Sequence, residues 1–150
     1  MEPIIHSATN NERRWAAELL AKSEPWIKLE VNTDQLLKTC FDPEFLVFIA
    51  HIEDKPCGVL IMDPRGIAGS PYIKSIAVAN EFRRMGIGAQ MVSFAESYFQ
   101  DKSKHMFLCV SSFNLQAKSF YAGLGYNRVG EFMDYIIEGE TEILMYKRIA

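Results

Sequence analysis

The stretch from Ser75 to Ala89, SIAVANEFRRMGIGA, holds the strongest chemical pattern in the chain: an apolar strand-like run enters a basic turn spaced by Gly86 and Gly88, then opens an amphipathic helix. Glycines let the main chain approach a ligand closely and take backbone angles that side chains disfavour. The first amides of a helix lack intrahelical partners and sit at the positive end of its dipole, so a diphosphate can satisfy them. Arg83 and Arg84 add full positive charge beside those amides. The expected chemistry is therefore phosphate binding by the loop Arg83, Arg84, Met85, Gly86, Ile87, Gly88 and Ala89.

The spacing separates this loop from other phosphate binders. A Walker-type loop ends in Gly-Lys-Ser/Thr, which is absent. A dinucleotide fingerprint needs a third glycine and follows a first strand, whereas here Gln90 or Met91 stands at that place in mid-chain. On its own, a glycine pair in a basic turn also suits a plain strand-to-helix connection in any α/β protein.

A second pattern follows another apolar run, Met106 to Val110: Asn114, Ala117, Phe120, Tyr121, Gly125 and Tyr126 at fixed offsets. Arg-x-x-Gly-x-Gly-Ala after a strand resembles motif A of the GNAT superfamily of acetyl-CoA-dependent N-acetyltransferases, and the second pattern resembles its motif B. The two motifs occur in family order and separation, covering about half the chain from Tyr72 to Tyr126. Ser23 to Trp26, Ser111 to Asn114, Asp134 to Ile136 and Glu142 to Leu144 resemble an uncharacterised bacterial branch of that superfamily.

The resemblance implies an acyltransferase, and the lack of a leader pattern or membrane-length apolar stretch predicts a cytoplasmic one. It would move an acetyl group from acetyl-CoA, a co-substrate, to a primary amine of a small molecule or peptide by direct attack in a ternary complex. It further implies that Ile76, Ala77 and Val78 offer main-chain groups to the pantetheine arm, the Val78 main chain above all. Asn114, Ala117 and Phe120 would contact coenzyme A from motif B, and the Tyr121 hydroxyl would protonate the departing thiolate. From the residues alone, Asn114 is equally an ordinary helix N-cap and Tyr121 a core aromatic with a polar tip. Where some relatives that acetylate peptide N-termini have a glutamate, this chain has Cys109, a packing residue by its apolar neighbours. Asp63, Glu131 and Asp134 remain as acidic candidates for the base. A peptide N-terminal acetyltransferase and a catalytically silent coenzyme A-binding module are the alternatives.

Those groups require a scaffold, and the composition bounds it. With 150 residues, 49% hydrophobic and 23% charged, the chain suits one domain over 1–150. A net charge of −3 without a basic stripe argues against nucleic-acid binding. No apolar stretch approaches the ~20 residues of a membrane helix, and no leader pattern opens the chain. Cys40, Cys57 and Cys109 lack metal-ligand spacing, and His6, His51 and His105 lack partners at i+3 or i+4, so no metal is expected. Homodimerisation is compatible with the sequence.

Periodicity places a strand at Ile4 to Ser7 and a helix capped by Thr9 or Asn10 that Pro25 ends. A second helix is capped by Asn32 or Thr33 and closed by Phe41-Asp42-Pro43. Phe45 to Ile52 and Cys57 to Met62 read as a hairpin around Glu53-Asp54-Lys55-Pro56, Ile67 to Pro71 as a loop, and Tyr72 to Val78 as the strand before the glycine turn. Met91, Phe94, Ala95 and Tyr98 fall on one helical face, expected to pack in the core. Arg128 to Ile137 and Ile143 to Ile149 close the chain as strands around Glu138 to Thr141. This order predicts an α/β fold whose mixed, mostly antiparallel sheet is flanked by helices; the resemblance adds splayed central parallel strands. The helical pair from Asn11 to Cys40, the Asp63 to Ser70 loop and the last hairpin would set the acceptor, with Trp26 and Tyr135 as candidate pocket aromatics.

Overall fold

The computed structural model describes residues 2–150. Seven strands form one sheet in the order β1-β2-β3-β4-β5-β7-β6. They are β1 (Ile4–Ser7), β2 (Leu46–Ile52), β3 (Lys55–Ile67), β4 (Ser70–Val78), β5 (His105–Ser111), β6 (Asn127–Met133) and β7 (Thr141–Arg148). Every pairing is antiparallel except β4 with β5. The expected mixed, mostly antiparallel α/β architecture is therefore present.

Helices cover both faces of this sheet. Helices α1 (Asn10–Ala21) and α2 (Thr33–Cys40) bury Ala16, Ala17, Leu20, Leu36 and Cys40 against Val47, Ile49, Val59, Ile61 and Ala77. On the other face, α3 (Ile87–Phe99) and α4 (Leu115–Gly123) pack with Phe48, Leu60, Met62, Ile73, Met106 and Leu108. Each face thus removes a continuous apolar surface from water, the main favourable term in folding. Among the described residues, no helix is long and apolar enough to cross a membrane.

Both N-terminal helices begin with reciprocal capping boxes. Thr9 Oγ1 accepts from the Glu12 amide while the Glu12 carboxylate accepts from the Thr9 amide; Asn32 and Gln35 repeat the arrangement. Each box satisfies two backbone donors that a helix start leaves without partners. Helix α1 stops at Ala21, ahead of Pro25, and residues 23–31 continue as hydrogen-bonded turns.

Several boundaries depart from the sequence reading for a common reason, the demand of strand pairing. The β2–β3 turn is only Glu53-Asp54, both at positive φ, because strand twist favours two-residue turns of that hand. Lys55 and Pro56 belong to β3, with Pro56 beside the irregular register at Ala50/His51. The expected Ile67 to Pro71 loop is a second tight hairpin, turning at Ala68-Gly69, again both at positive φ. β6 ends at Met133, and residues 134–140 form the final connection. In α3 the buried face is Ile87, Met91, Val92, Ala95 and Phe99; Tyr98 is exposed, resting with Phe94 against the Phe48 ring.

Strand β4 is irregular on both of its edges. On the β3 side, Ile61 pairs with Ser75 but Met62 pairs with Ile73, so Lys74 is an extra residue, a β-bulge. On the other side, its parallel pairing with β5 is confined to Tyr72 with Phe107 and Ile73 with Leu108, ending where the bulge begins. Beyond it the two strands separate.

Candidate active site

The separation of β4 and β5 produces two cavities that meet between them. One, of about 710 Å³, is lined by Ile76, Ala77, Val78, the turn from Arg83 to Ala89, and Asn114, Ala117, Phe120 and Tyr121. The other, of about 450 Å³, lies among Trp26, Asp63, Tyr72, Cys109, Tyr135 and Glu142. Glu24, Ile76, Asn114, Ala117 and Tyr121 line both.

All the expected motif A residues except Met85 line the larger cavity, each for a traceable reason. Ile76, Ala77 and Val78 pair with Leu60, Val59 and Gly58 of β3 on one side. Their other edge has no β5 partner, because β5 has already diverged. That edge can receive an extended peptide-like ligand by strand addition. Arg83 reaches back to donate from Nε to the Val78 carbonyl at 3.3 Å.

Gly86 is the N-cap of α3 with φ 78° and ψ 10°, and it provides no capping side chain. A Cβ there would meet nothing within 4 Å, so the turn opens onto free space beside the first α3 amides. Gly88 has another reason. Its backbone is not left-handed, but a Cβ would lie 3.1 Å from the Phe120 ring, so the glycine permits close packing of α3 on α4. Sequence alone gives both glycines the same conformational need; in the structure only Gly86 has it. Arg84 also takes positive φ, and both arginines are exposed. Ile87 is a core side chain, 2% exposed, leaving only its main chain for a ligand, while Met85 faces solvent.

Motif B approaches from β5. Asn114 caps α4, its Oδ1 accepting from the Ala117 amide at 3.2 Å, and it also borders both cavities. Asn114 is thus a helix N-cap set at a position that borders both cavities. Tyr121 is 6% exposed at the junction, its ring 5.0 Å from that of Phe120. Burial pushes the Tyr121 phenol well above its ordinary value, so it stays protonated through the neutral range.

The smaller cavity revises the set of acidic candidates. Asp63 lines it, but Glu131 is an exposed partner of Arg128, and Asp134 accepts the Gly139 amide in the final connection. Neither Glu131 nor Asp134 reaches the cavity wall. Glu142, absent from the sequence-based candidates, does. It is 8% exposed, stands opposite Ser111 in the β5–β7 ladder, and accepts from Ser111 Oγ at 2.6 Å. Burial raises its carboxyl, the Ser111 bond lowers it and nearby Glu140 raises it, with a net upward displacement. The one signal in the sequence is alternation: Glu142, the second residue of β7, stands beside apolar Ile143 and shares the inward environment of its pair Ser111.

Cys109 is also a wall residue of this cavity rather than a core one. Its neighbours include the Tyr72 hydroxyl and Glu142, not only apolar strand groups. Burial nevertheless pushes the thiol upward; the Tyr72 bond opposes this and the Glu142 charge reinforces it. The thiolate is thus disfavoured, as expected, through different neighbours. Trp26 and Tyr135, the candidate aromatics, both border the cavity. Lys28 Nζ lies 3.3 Å from Glu140 and 4.2 Å from the Phe113 ring centre, tying the segment after α1 to the connection between β6 and β7.

The histidines are not all isolated. Strand pairing brings His6 and His51 together, with ring centres 4.7 Å apart and both facing Glu12. Only His105 stands apart from this group.

Known proteins share this architecture. The coenzyme A complex of an aminoglycoside 6'-N-acetyltransferase aligns with a TM-score of 0.80 at 19% identity, over 98% of this chain and 97% of that one. The ribosomal-protein-S18-alanine N-acetyltransferase of Escherichia coli aligns with a TM-score of 0.77 at 18% identity, over 99% and 94% of the two chains. In sequence, the uncharacterized N-acetyltransferase MJ1530 of Methanocaldococcus jannaschii is 30% identical over 105 residues, 67% of this chain and 65% of that relative. The model of the acetyltransferase (GNAT) family matches residues 12–126, spanning the β4–α3 glycine turn and the α4 tyrosine alike, and the chain belongs to that family.

Proposed function

We propose that residues 1–150 act as one N-acetyltransferase domain that transfers the acetyl group of acetyl-CoA to a primary amine of a small molecule or peptide. The observation that carries this reading is the pair of cavities joined at the splay, with Tyr121 in the wall of both. One cavity has the uncapped α3 amides, two arginines and an open strand edge, a set suited to a diphosphate followed by a peptide-like arm. The other has aromatic walls and buried acidity, a set suited to an organic ammonium group.

In this mechanism the Arg83 to Ala89 turn fixes the diphosphate of the co-substrate, and the main chain from Ile76 to Val78 aligns its arm. Glu142 accepts a proton from the acceptor ammonium, directly or through water, leaving a neutral amine. The amine nitrogen bonds to the thioester carbonyl carbon and the carbon–sulfur bond then breaks. Tyr121 gives its phenolic proton to the departing thiolate. The proton that the nitrogen carries in excess passes through water to the Tyr121 phenolate and Glu142 releases its own to solvent, so the products are the acetylated amine and the free thiol, with no acetyl-enzyme. Cys109, held as a thiol, takes no covalent part.

The test is release of free thiol from acetyl-CoA in the presence of amines, polyamines, amino acids and peptides. Tyr121→Phe is expected to lower turnover by about 10²–10⁴-fold while coenzyme affinity stays within a few-fold, the range of general-acid catalysis. Tight coenzyme binding with no turnover across the panel would identify a silent binding module instead. Turnover confined to peptides would select the peptide N-terminal enzyme.

A further inference from the structure

We propose that His6, Glu12 and His51 form a binding site for a divalent transition-metal ion, with Zn²⁺ the best match, at the β1 edge of the sheet. The site belongs neither to the groove nor to the acceptor cavity: it sits on β1, β2 and α1, and β3 separates β2 from β4.

Strand geometry assembles the two imidazoles. In the antiparallel β1–β2 ladder Ile4 pairs with His51, and His6 lies two residues along β1. Side chains alternate, so His6 shares a face with Ile4 and with the residue opposite it, making His6 and His51 diagonal neighbours. The register irregularity between Ala50 and His51 falls at this position, and such bulges redirect a side chain.

The carboxylate comes from the opening turn of α1, fixed to the same face. The Ala8 amide bonds to the Val47 carbonyl, tying the chain to β2 just before the helix. The capping box then holds Glu12: Oε1 accepts from the Thr9 amide at 2.8 Å. This leaves Oε2 facing His6 Nε2 at 3.1 Å and His51 Nε2 at 2.6 Å. The potential ligand atoms all lie within 4.8 Å of one another. Bonds of ~2.0–2.2 Å in a tetrahedral zinc site place neighbouring donors about 3.3 Å apart, so the side chains need only small rotations to surround an ion.

The donor set selects the ion class. Imidazole nitrogen suits Zn²⁺, Cu²⁺ and Ni²⁺, whereas Mg²⁺ and Ca²⁺ prefer oxygen alone. The Thr9 amide on Oε1 would orient the coordinating carboxylate from outside, as partners of metal ligands commonly do. His6 is exposed while Glu12 and His51 are largely covered, so one side admits the ion and leaves room for water to complete its coordination. Binding replaces the contacts between Nε2 and Oε2 with three bonds to metal. Each neutral imidazole binds through Nε2 with its proton on Nδ1, and any imidazolium first releases a proton to solvent. Its effect would be structural, joining the four-residue edge strand to β2 and α1.

Titration of chelator-stripped protein with Zn²⁺ alone, in competition with a chromophoric chelator, should show one ion per chain. His6→Ala and His51→Ala should each weaken binding at least about tenfold, whereas His105→Ala should leave it unchanged. Circular dichroism and coenzyme A binding establish that each variant is folded; His6 is exposed, so its replacement tests the site even if His51→Ala destabilises the sheet. Substituted Co²⁺ should give a visible spectrum without thiolate charge-transfer bands. Absence of stoichiometric Zn²⁺ binding, persistence in the His6→Ala/His51→Ala double variant, or thiolate bands with Co²⁺ would overturn the proposal.

Discussion

Replacing Glu142 by glutamine separates catalysis from stability in opposite directions. The side chain is 8% exposed and accepts from Ser111 Oγ at 2.6 Å, an interaction that a glutamine oxygen can preserve. Only the capacity to take a proton is lost. Removal of a general base lowers turnover by about 10²–10⁴-fold, or about 3–5 kcal/mol of activation free energy at ~1.36 kcal/mol per tenfold. The KM for acetyl-CoA should remain within a few-fold, since Glu142 does not border the larger cavity. Burial raises the folded-state carboxyl above its unfolded value. The resulting contribution to stability is complete below the unfolded value and is lost as pH rises through the folded one. Above that window Glu142→Gln should melt no lower than the wild type, and the wild-type rise of kcat with pH should vanish. Thiol-release kinetics and thermal melts from acidic to neutral pH measure both effects. Undiminished kcat, or a melting temperature several degrees lower at neutral pH, would refute the assignment and make the carboxylate structural.

Gly86→Asp should abolish coenzyme binding by calorimetry, because it directs a negative group into the open space beside the α3 amides. Gly86→Asn, which tolerates the same left-handed backbone, should retain more affinity and so separate charge from strain. Cys109→Ala should remain active, and intact-mass analysis after acetyl-CoA addition should find no acetyl adduct at Cys109; an adduct discharged by acceptor would establish a ping-pong route. Burial lifts the Cys40 thiol to about 11, partly opposed by Arg13, which cuts its thiolate fraction at mildly alkaline pH about a hundredfold relative to an ordinary thiol. Alkylation of Cys40 should therefore require unfolding, as peptide mapping would show.

Local signals were legible where they were chemically complete within a few residues. Thr9 with Glu12, Asn32 with Gln35, Asn114 before α4 and Gly125 after it announce helix ends through groups that meet at short separation. The glycine turn was legible for the same reason. Pairing across the sheet was not. Pro56 and Lys55 resemble turn residues, yet β2 draws them into a ladder; Ala68-Gly69 resembles part of a loop, yet β4 makes it a hairpin. Glu142 and Ser111 are 31 positions apart, and His51 and Glu12 39 apart, so neither cluster has a sequence spacing to recognise. Asp134, conversely, qualifies as a candidate by its acidity and its expected place on the penultimate strand, whereas its carboxylate serves the fold by holding the Gly139 amide.

Lys74 gives this architecture a dependence on residue counting. As the extra residue in β4, it changes the parity of the strand, so Ile73, Ile76 and Val78 can all face the α3–α4 core although an uninterrupted alternation would divide them. Its loss would leave Ile73, Ser75, Ile76, Ala77 and Val78 in plain alternation, keeping Ile76 and Val78 on the Ile73 face while returning the β3 pairing to a regular register. It would also remove the local irregularity at which β4 leaves β5. An exchange of side chain at position 74 alters a contact with the Phe45 ring and part of the wall of the smaller cavity, whereas a deletion there straightens the strand. The groove between β4 and β5 is thus encoded partly in an integer, the number of residues between Ile73 and Ser75, and that part is invisible to any comparison of residue chemistry.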